Sequence, residues 1–391
     1  VLACLALAGC ETLGYYTQAV RGQLQLTFAR QPVARLLDSE QVDADLKARL
    51  ARSQTLLAFV NDHLGLAAEG RYRSYVDLGR EAVLYNLVAT PALSLDAHHW
   101  CYPVAGCAPY RGYFRQAAAR RAADRFAARG YTVYLGAVPA YSTLGWFRDP
   151  LLSSFIRWPD ADLLSLLAHE LSHSRVWVDG DVAYNEAFAT FVGEQAVRAW
   201  FAAKPGGAAA LARWQQERAG WRRLQPLLND LAATLRRAYG TDAVAAAKAA
   251  ARDQLYEAFR ACYAKYQPLL GAGRYDRYVE AINDAALAAR ATYANRVPAF
   301  AMLFRDVGAA WPAFFERAQA LGDLPSAQRE EQVRELLARA AARGPSAQEQ
   351  VAQGADDQHA QQVQCQALTN HAIDGDLAGA EDDDVGGRGD R

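Results

Sequence analysis

The sequence predicts an α+β fold in which helix predominates, and three observations carry that prediction. Extended patterns are confined to the window between Tyr72 and Pro150, where Tyr75–Leu78, Val83–Thr90 and Tyr131–Val138 read as short strands. Alanine is abundant and β-branched residues are sparse in the second half, which favours helix there. Between these regions Leu163, Leu164, Leu167, Leu171 and Val176 recur at the spacing of one helix face. A small sheet should therefore precede a buried helix, with a helical C-terminal part beyond it. At 391 residues, 52% apolar and 22% charged, the chain can bury one large core or two moderate ones. A formal net charge of −1 leaves no basic footprint, which argues against a nucleic-acid partner.

The apolar residues 1–9, VLACLALAG, lead into Cys10. Small residues before a cysteine look like a bacterial lipobox, where a signal peptide is removed and the cysteine acquires lipid. The run is too short to span a bilayer, so residues 1–9 read as a truncated signal peptide and Cys10 as the lipidation site. An uncleaved apolar N-terminus is the alternative. Residues 10–70 read as a helical segment. In its first helix, Glu11 to Arg30, the stripe Tyr16, Val20, Leu24 and Phe28 is expected to pack inward, and a second helix runs from Asp38 to His63.

Cys101 and Cys107, six positions apart, suit a disulfide loop in an exported protein, with a second metal site built from His98, His99 and the thiols as the alternative. Arg115 to Gly130 is an amphipathic helix closed by glycine. Further helices are expected over Ala208–Tyr239, from Thr241 or Asp242 toward Pro268, and over Tyr275–Asn295 and Trp311–Leu321. From Gly344 the chain carries too little apolar surface to offset its conformational entropy, and residues 344–391 are expected to be disordered.

The chemistry concentrates between Ala161 and Glu194. His169-Glu170-Leu171-Ser172-His173 is an H-E-x-x-H motif on the leucine-rich helix. Positions i and i+4 share a helix face, so two imidazoles can reach one cation, and Glu170 stands beside them as a general base for water. Pro159, Asp160 and Asp162 supply the start of this helix. A tetrahedral zinc site needs a third ligand, and Glu186 in Asn185-Glu186-Ala187-Phe188-Ala189 is the candidate. The turn-prone Asp179-Gly180-Asp181 would fold its helix back, with Ala187 and Ala189 allowing close approach.

HELSH followed by NEAFA resembles the gluzincin pattern of thermolysin-like and aminopeptidase N-like enzymes, where the glutamate after the asparagine is the third zinc ligand. Only 12 residues separate His173 from Glu186, fewer than in those families. The chain is more closely similar to a group of bacterial lipoproteins described as putative aminopeptidases. Tyr15-Tyr16, Tyr110-Arg111-Gly112-Tyr113, the segment Ala140 to Trp146, Asp149-Pro150, the HELSH helix and Asn185-Glu186 carry that likeness, over roughly residues 10 to 340.

The resemblance implies a zincin-like peptidase domain over residues 71–343, one Zn2+ ion held by His169, His173 and Glu186, and Glu170 as base. It implies a substrate groove lined by Tyr141, Ser142, Thr143, Leu144 and Gly145, where an exposed edge would pair with an extended peptide. An internal strand with Tyr141 and Trp146 in the core is the alternative. The expected function is peptide hydrolysis by a membrane-anchored zinc aminopeptidase, with the bilayer reached through a lipid on Cys10 and the catalytic domain in the periplasm of the cell envelope. An envelope endopeptidase and a non-catalytic metal-binding lipoprotein that binds a protein partner are the alternatives. Tyr141, Tyr263 and Tyr293 are candidates to stabilise the oxyanion, with a place in the core as the alternative for each, and the sequence singles out no acid for a substrate ammonium among Asp149, Asp181 and Glu194.

Overall fold

Why α1 (Leu2–Phe28) packs as it does is settled by its smallest residue. A Cβ at Gly22 would lie 2.1 Å from the Phe114 ring, so only glycine lets the helix approach there. Beside it Gln18 accepts from Phe114 N (3.1 Å) and donates to Gly112 O (3.4 Å), tying α1 to the chain near Phe114. Leu26 is buried on the same side. The expected packing stripe therefore faces outward: Tyr16, Val20, Leu24 and Phe28 are all exposed. The computed structural model describes residues 2–102, 106–140, 148–291 and 296–343, with the backbone alone for 2–13 and 291.

After α1 come β1 (Gln31–Pro32), α2 (Val33–Asp38) and α3 (Ala44–Leu64), the last capped by the Asp43 side chain and ended by Gly65 in the left-handed region. Three strands, β1, β2 (Ser74–Val76) and β8 (Leu151–Leu152), form one small sheet in the order β1-β2-β8. A second sheet has the order β6-β3-β7, with β3 (Leu84–Thr90) antiparallel to both β6 (Arg111–Tyr113) and β7 (Thr132–Val138). Along β3 the side chains alternate. Leu87 and Ala89 face Ala119, Ala122 and Phe126 of α4 (Gln116–Ala127), while Val88 faces Ala285 and Ala288 of α10 (Asp284–Ala291). The hairpin β4 (Trp100–Tyr102) and β5 (Gly106–Ala108) is closed by a Cys101–Cys107 disulfide, which removes both thiols from any metal site.

The rest is helical, as composition predicts: α5 (Asp160–Ser172), α6 (Val182–Ala202), α7 (Gly207–Tyr239), α8 (Ala245–Tyr266), α9 (Asp276–Glu280), α10, α11 (Val297–Asp306), α12 (Trp311–Gly322) and α13 (Ser326–Arg343). The single helix expected over Tyr275–Asn295 is two, because Ile282 and Asn283 interrupt it and Asn283 caps the second by accepting from Ala286 N. The largest core joins α1, α2, α3, α5, α6, α11, α12 and α13, with Phe188 packed against Phe300, Phe314 and Phe315. Each such ring removed from water contributes roughly 1.5–3 kcal/mol. A second core lies between α7 and α8 with Leu270, Val279 and Leu287. Among the described residues no helix is long and apolar enough to cross a membrane.

Candidate metal centre

The leucines that predict α5 are all buried, Leu163, Leu164, Leu167 and Leu171 at 2% exposure or less. His169 and Glu170, off that face, keep partial exposure. Asp160 and Asp162 do stand in the first turn, and each also pins a neighbour: Asp160 pairs with Arg52 (2.6 Å) and Asp162 with Arg218 of α7 (2.6 Å). The helix ends at His173, whose backbone is still right-handed helical, so the i, i+4 relation of the two histidines survives the terminus.

Return to α6 is set by two devices. Asn185, fully buried, accepts from Val178 N and donates to Val178 O (2.8 Å each), clasping the loop that follows α5. Asp181 caps α6 by accepting from Tyr184 N, and is gripped by Arg296 (3.0 Å) and Arg329 (3.0 Å). That occupation removes Asp181 from the candidates for binding a substrate ammonium. The two helices touch most closely at Gly193, where a Cβ would lie 2.6 Å from Ser165 O. Ala187 and Ala189, the small residues expected to allow that approach, are buried, but the glycine that permits it carries no signal of its own in the sequence.

These devices bring three side chains together. His169 Nε2 lies 3.2 Å from His173 Nε2 and 3.3 Å from Glu186 Oε2, and His173 Nε2 lies 3.8 Å from Glu186 Oε1. Ligand atoms about 2.1 Å from a tetrahedral ion stand about 3.4 Å apart, so this triangle fits a divalent cation. It is the one group of three or more such ligands among the described residues that closes in this way.

Electrostatics separate the two imidazoles. Burial pushes His173 down to about 4, the charge on His169 acts in the same direction, and Nδ1 has no acceptor among the described residues. His173 is therefore neutral at physiological pH, as a ligand must be. Burial opposes charge on His169 too, but the hydrogen bond to Glu186 and the Glu170 and Glu186 carboxylates outweigh it and raise its pKa. Glu186 is lowered: burial would raise it, yet the hydrogen bond and charge of His169 prevail. Glu170 is pushed up to about 7 by burial, with Glu186 and Asp149 adding to it against His169. It borders a narrow cavity of about 10 Å³ lined by Leu26, Tyr72, Ala140, Pro150 and Phe155.

Several residues at this site had no assigned role in the sequence. Tyr110 lies within the field of both Glu186 and Glu170, which together with burial pushes its phenol up to about 12. Tyr72, buried and at φ 60°, also feels Glu170 and Asp149, and its N–H donates to Asp149 O at 2.6 Å. Tyr110 belongs to the Tyr-Arg-Gly-Tyr segment, a usable signal; Tyr72 carries none. In that segment Arg111 stacks on Tyr15 (3.7 Å), whose ring also meets Tyr113. Of the proposed oxyanion donors, Tyr263 is committed to Asp276 (2.8 Å) in the second core. Tyr293 and the groove residues Tyr141, Ser142, Thr143, Leu144 and Gly145 lie outside the described residues, as does the side chain of Cys10. Glu194 sits about two turns beyond Glu186 on α6. His98 packs among Trp100, Phe126 and Tyr131 instead of facing a cation.

Neither the curated proteins nor the solved structures hold a match to this chain. A family model described as "Putative aminopeptidase" matches residues 14–333, a span that contains every residue of the His-His-Glu centre and the tyrosines around it. The chain belongs to that putative aminopeptidase family.

Proposed function

We propose that this protein is a zinc-dependent aminopeptidase, held at the bacterial envelope by a lipid on Cys10 with its catalytic part in the periplasm. The observation that carries the reading is the triangle of His169, His173 and Glu186, at separations that suit a tetrahedral ion, with Glu170 next to it. Two imidazoles and a carboxylate are donors that zinc accepts readily, and three protein ligands leave a position open. When bound there, the ion supplies Lewis acidity, polarising a carbonyl and making water easier to deprotonate.

The protein's own groups do the rest. Glu170 takes a proton from the attacking water on its carboxylate and returns it to the leaving amine nitrogen. Its buried, acid-rich surroundings favour proton uptake, which suits a group that must hold the proton between the two transfers. Tyr110 donates its hydroxyl to the oxygen that becomes negative as the carbonyl is attacked. Its elevated pKa keeps that proton in place at neutral pH. Asp149, buried and close enough for its charge to reach Glu170, is assigned to a substrate's N-terminal ammonium. The segment Tyr141 to Gly145 is assigned to the substrate backbone.

Glu170→Gln tests the mechanism. It should retain zinc while hydrolysis of unblocked peptides falls by about 10³-fold or more. Full activity in that variant would remove Glu170 from the mechanism. A paired panel of free and N-acetylated peptides separates the aminopeptidase from an endopeptidase with the same centre, since only the latter cleaves both.

A further inference from the structure

Six large apolar side chains are exposed among the described residues, and four of them, Tyr16, Val20, Leu24 and Phe28, form one line along α1. They recur every fourth residue, and Phe28 is 82% exposed. The opposite side of the helix is already spent on Gln18, Gly22 and Leu26, so the line is not a misplaced core face. We infer that this face of α1 docks on a phospholipid bilayer, the helix lying in the surface with its apolar line in the acyl boundary.

Two features favour a lipid surface over a second copy of the chain. The exposed positions of the face from Gly14 to Ala29 include no acidic residue, and their single charge is Arg21, suited to anionic headgroups. The four side chains expose roughly 400 Å², about half of what each partner of a stable dimer buries. The inference does not depend on acylation of Cys10 or on the proposed peptidase chemistry.

Docking would also place the metal centre. Leu26, on the inner side of α1, lines the cavity that Glu170 borders. A single helix, about 10 Å across, would then separate the lipid surface from the base. The polypeptides reached most easily would be segments leaving or lying on the membrane.

The test is co-sedimentation of residues 10–391, the chain left after removal of the expected signal peptide, as Cys10→Ser so that no lipid anchor contributes, with vesicles of phosphatidylethanolamine and phosphatidylglycerol. The comparison is the same protein carrying Leu24→Gln and Phe28→Gln, both exposed positions where glutamine keeps the helix. Circular dichroism should show equal melting for the two. The docking account predicts that the unsubstituted face binds vesicles and that the double substitution weakens binding by about tenfold or more. Absence of binding by either protein, or equal binding by both, overturns it. So does a concentration-dependent dimer in solution that the double substitution dissolves, which would make the face a contact between copies.

Discussion

Two buried acids in this protein have opposite surroundings. In the second core Asp284, 1% exposed, accepts from the Tyr239 hydroxyl (2.9 and 3.0 Å) and from the Tyr256 hydroxyl (2.7 Å). Each phenol has one proton to give and the carboxylate takes both, so donors and acceptors balance. Glu186 instead faces two imidazole nitrogens at 3.3 and 3.8 Å, and those nitrogens face each other. Three lone-pair donors converge there with too few protons to pair them all. The first arrangement closes on itself and holds a helix pair together. The second is completed only by a positive charge, which is why it reads as a functional centre.

Removing the clasp that supports the open centre should have the largest effect. Asn185→Ala leaves the buried N–H and C=O of Val178 without their side-chain partner, which costs about 2–4 kcal/mol. Urea unfolding should show that loss, together with weaker metal binding, because Glu186 follows Asn185 directly near the start of α6. A change under about 0.5 kcal/mol would mean that the clasp does not position the ligand.

A smaller effect is expected at Tyr110, whose hydroxyl is proposed above to act in the reaction. Tyr110→Phe should lower kcat by about 10- to 100-fold with KM nearly unchanged, measured on an unblocked peptide. A rise in KM alone would reassign the residue to substrate binding.

The closed network is sharpened by pH. Burial raises the pKa of Asp284 above its ordinary 3.8, although both phenols and Arg252 oppose the shift. An acid raised in the folded state stabilises most below its unfolded pKa, and that contribution is lost as pH rises through the folded value. The stability of wild type relative to Asp284→Asn should therefore be greater near pH 3.5 than at pH 7, a difference readable from paired denaturant titrations. The opposite trend would mean that the phenols stabilise the ionised acid more than burial penalises it.

The metal helix was legible because its signals are local. Four leucines at helical spacing name the buried face of α5, and the i, i+4 histidines follow from helix geometry alone. Glu186 was legible as the third ligand candidate, whereas the role of Asn185 in clasping the loop was not. Face assignment failed on α1. Its apolar line is real, but the side that packs carries glutamine and glycine, chosen for backbone bonds and close approach. Hydrophobic periodicity does not register either kind of contact. Tyr72 carried no signal, and Tyr110 was legible only as part of the Tyr-Arg-Gly-Tyr segment: both arrive from segments roughly 60 to 100 residues upstream, and only the folded chain brings them into range of Glu170.

Metal content is the most direct test of the centre. After purification and dialysis against trace zinc, elemental analysis of wild type should give about one zinc ion per chain, and His173→Ala and Glu186→Ala should each retain less than about a tenth of that. Wild type without bound metal, or equal metal in all three proteins, would contradict a site built from His169, His173 and Glu186.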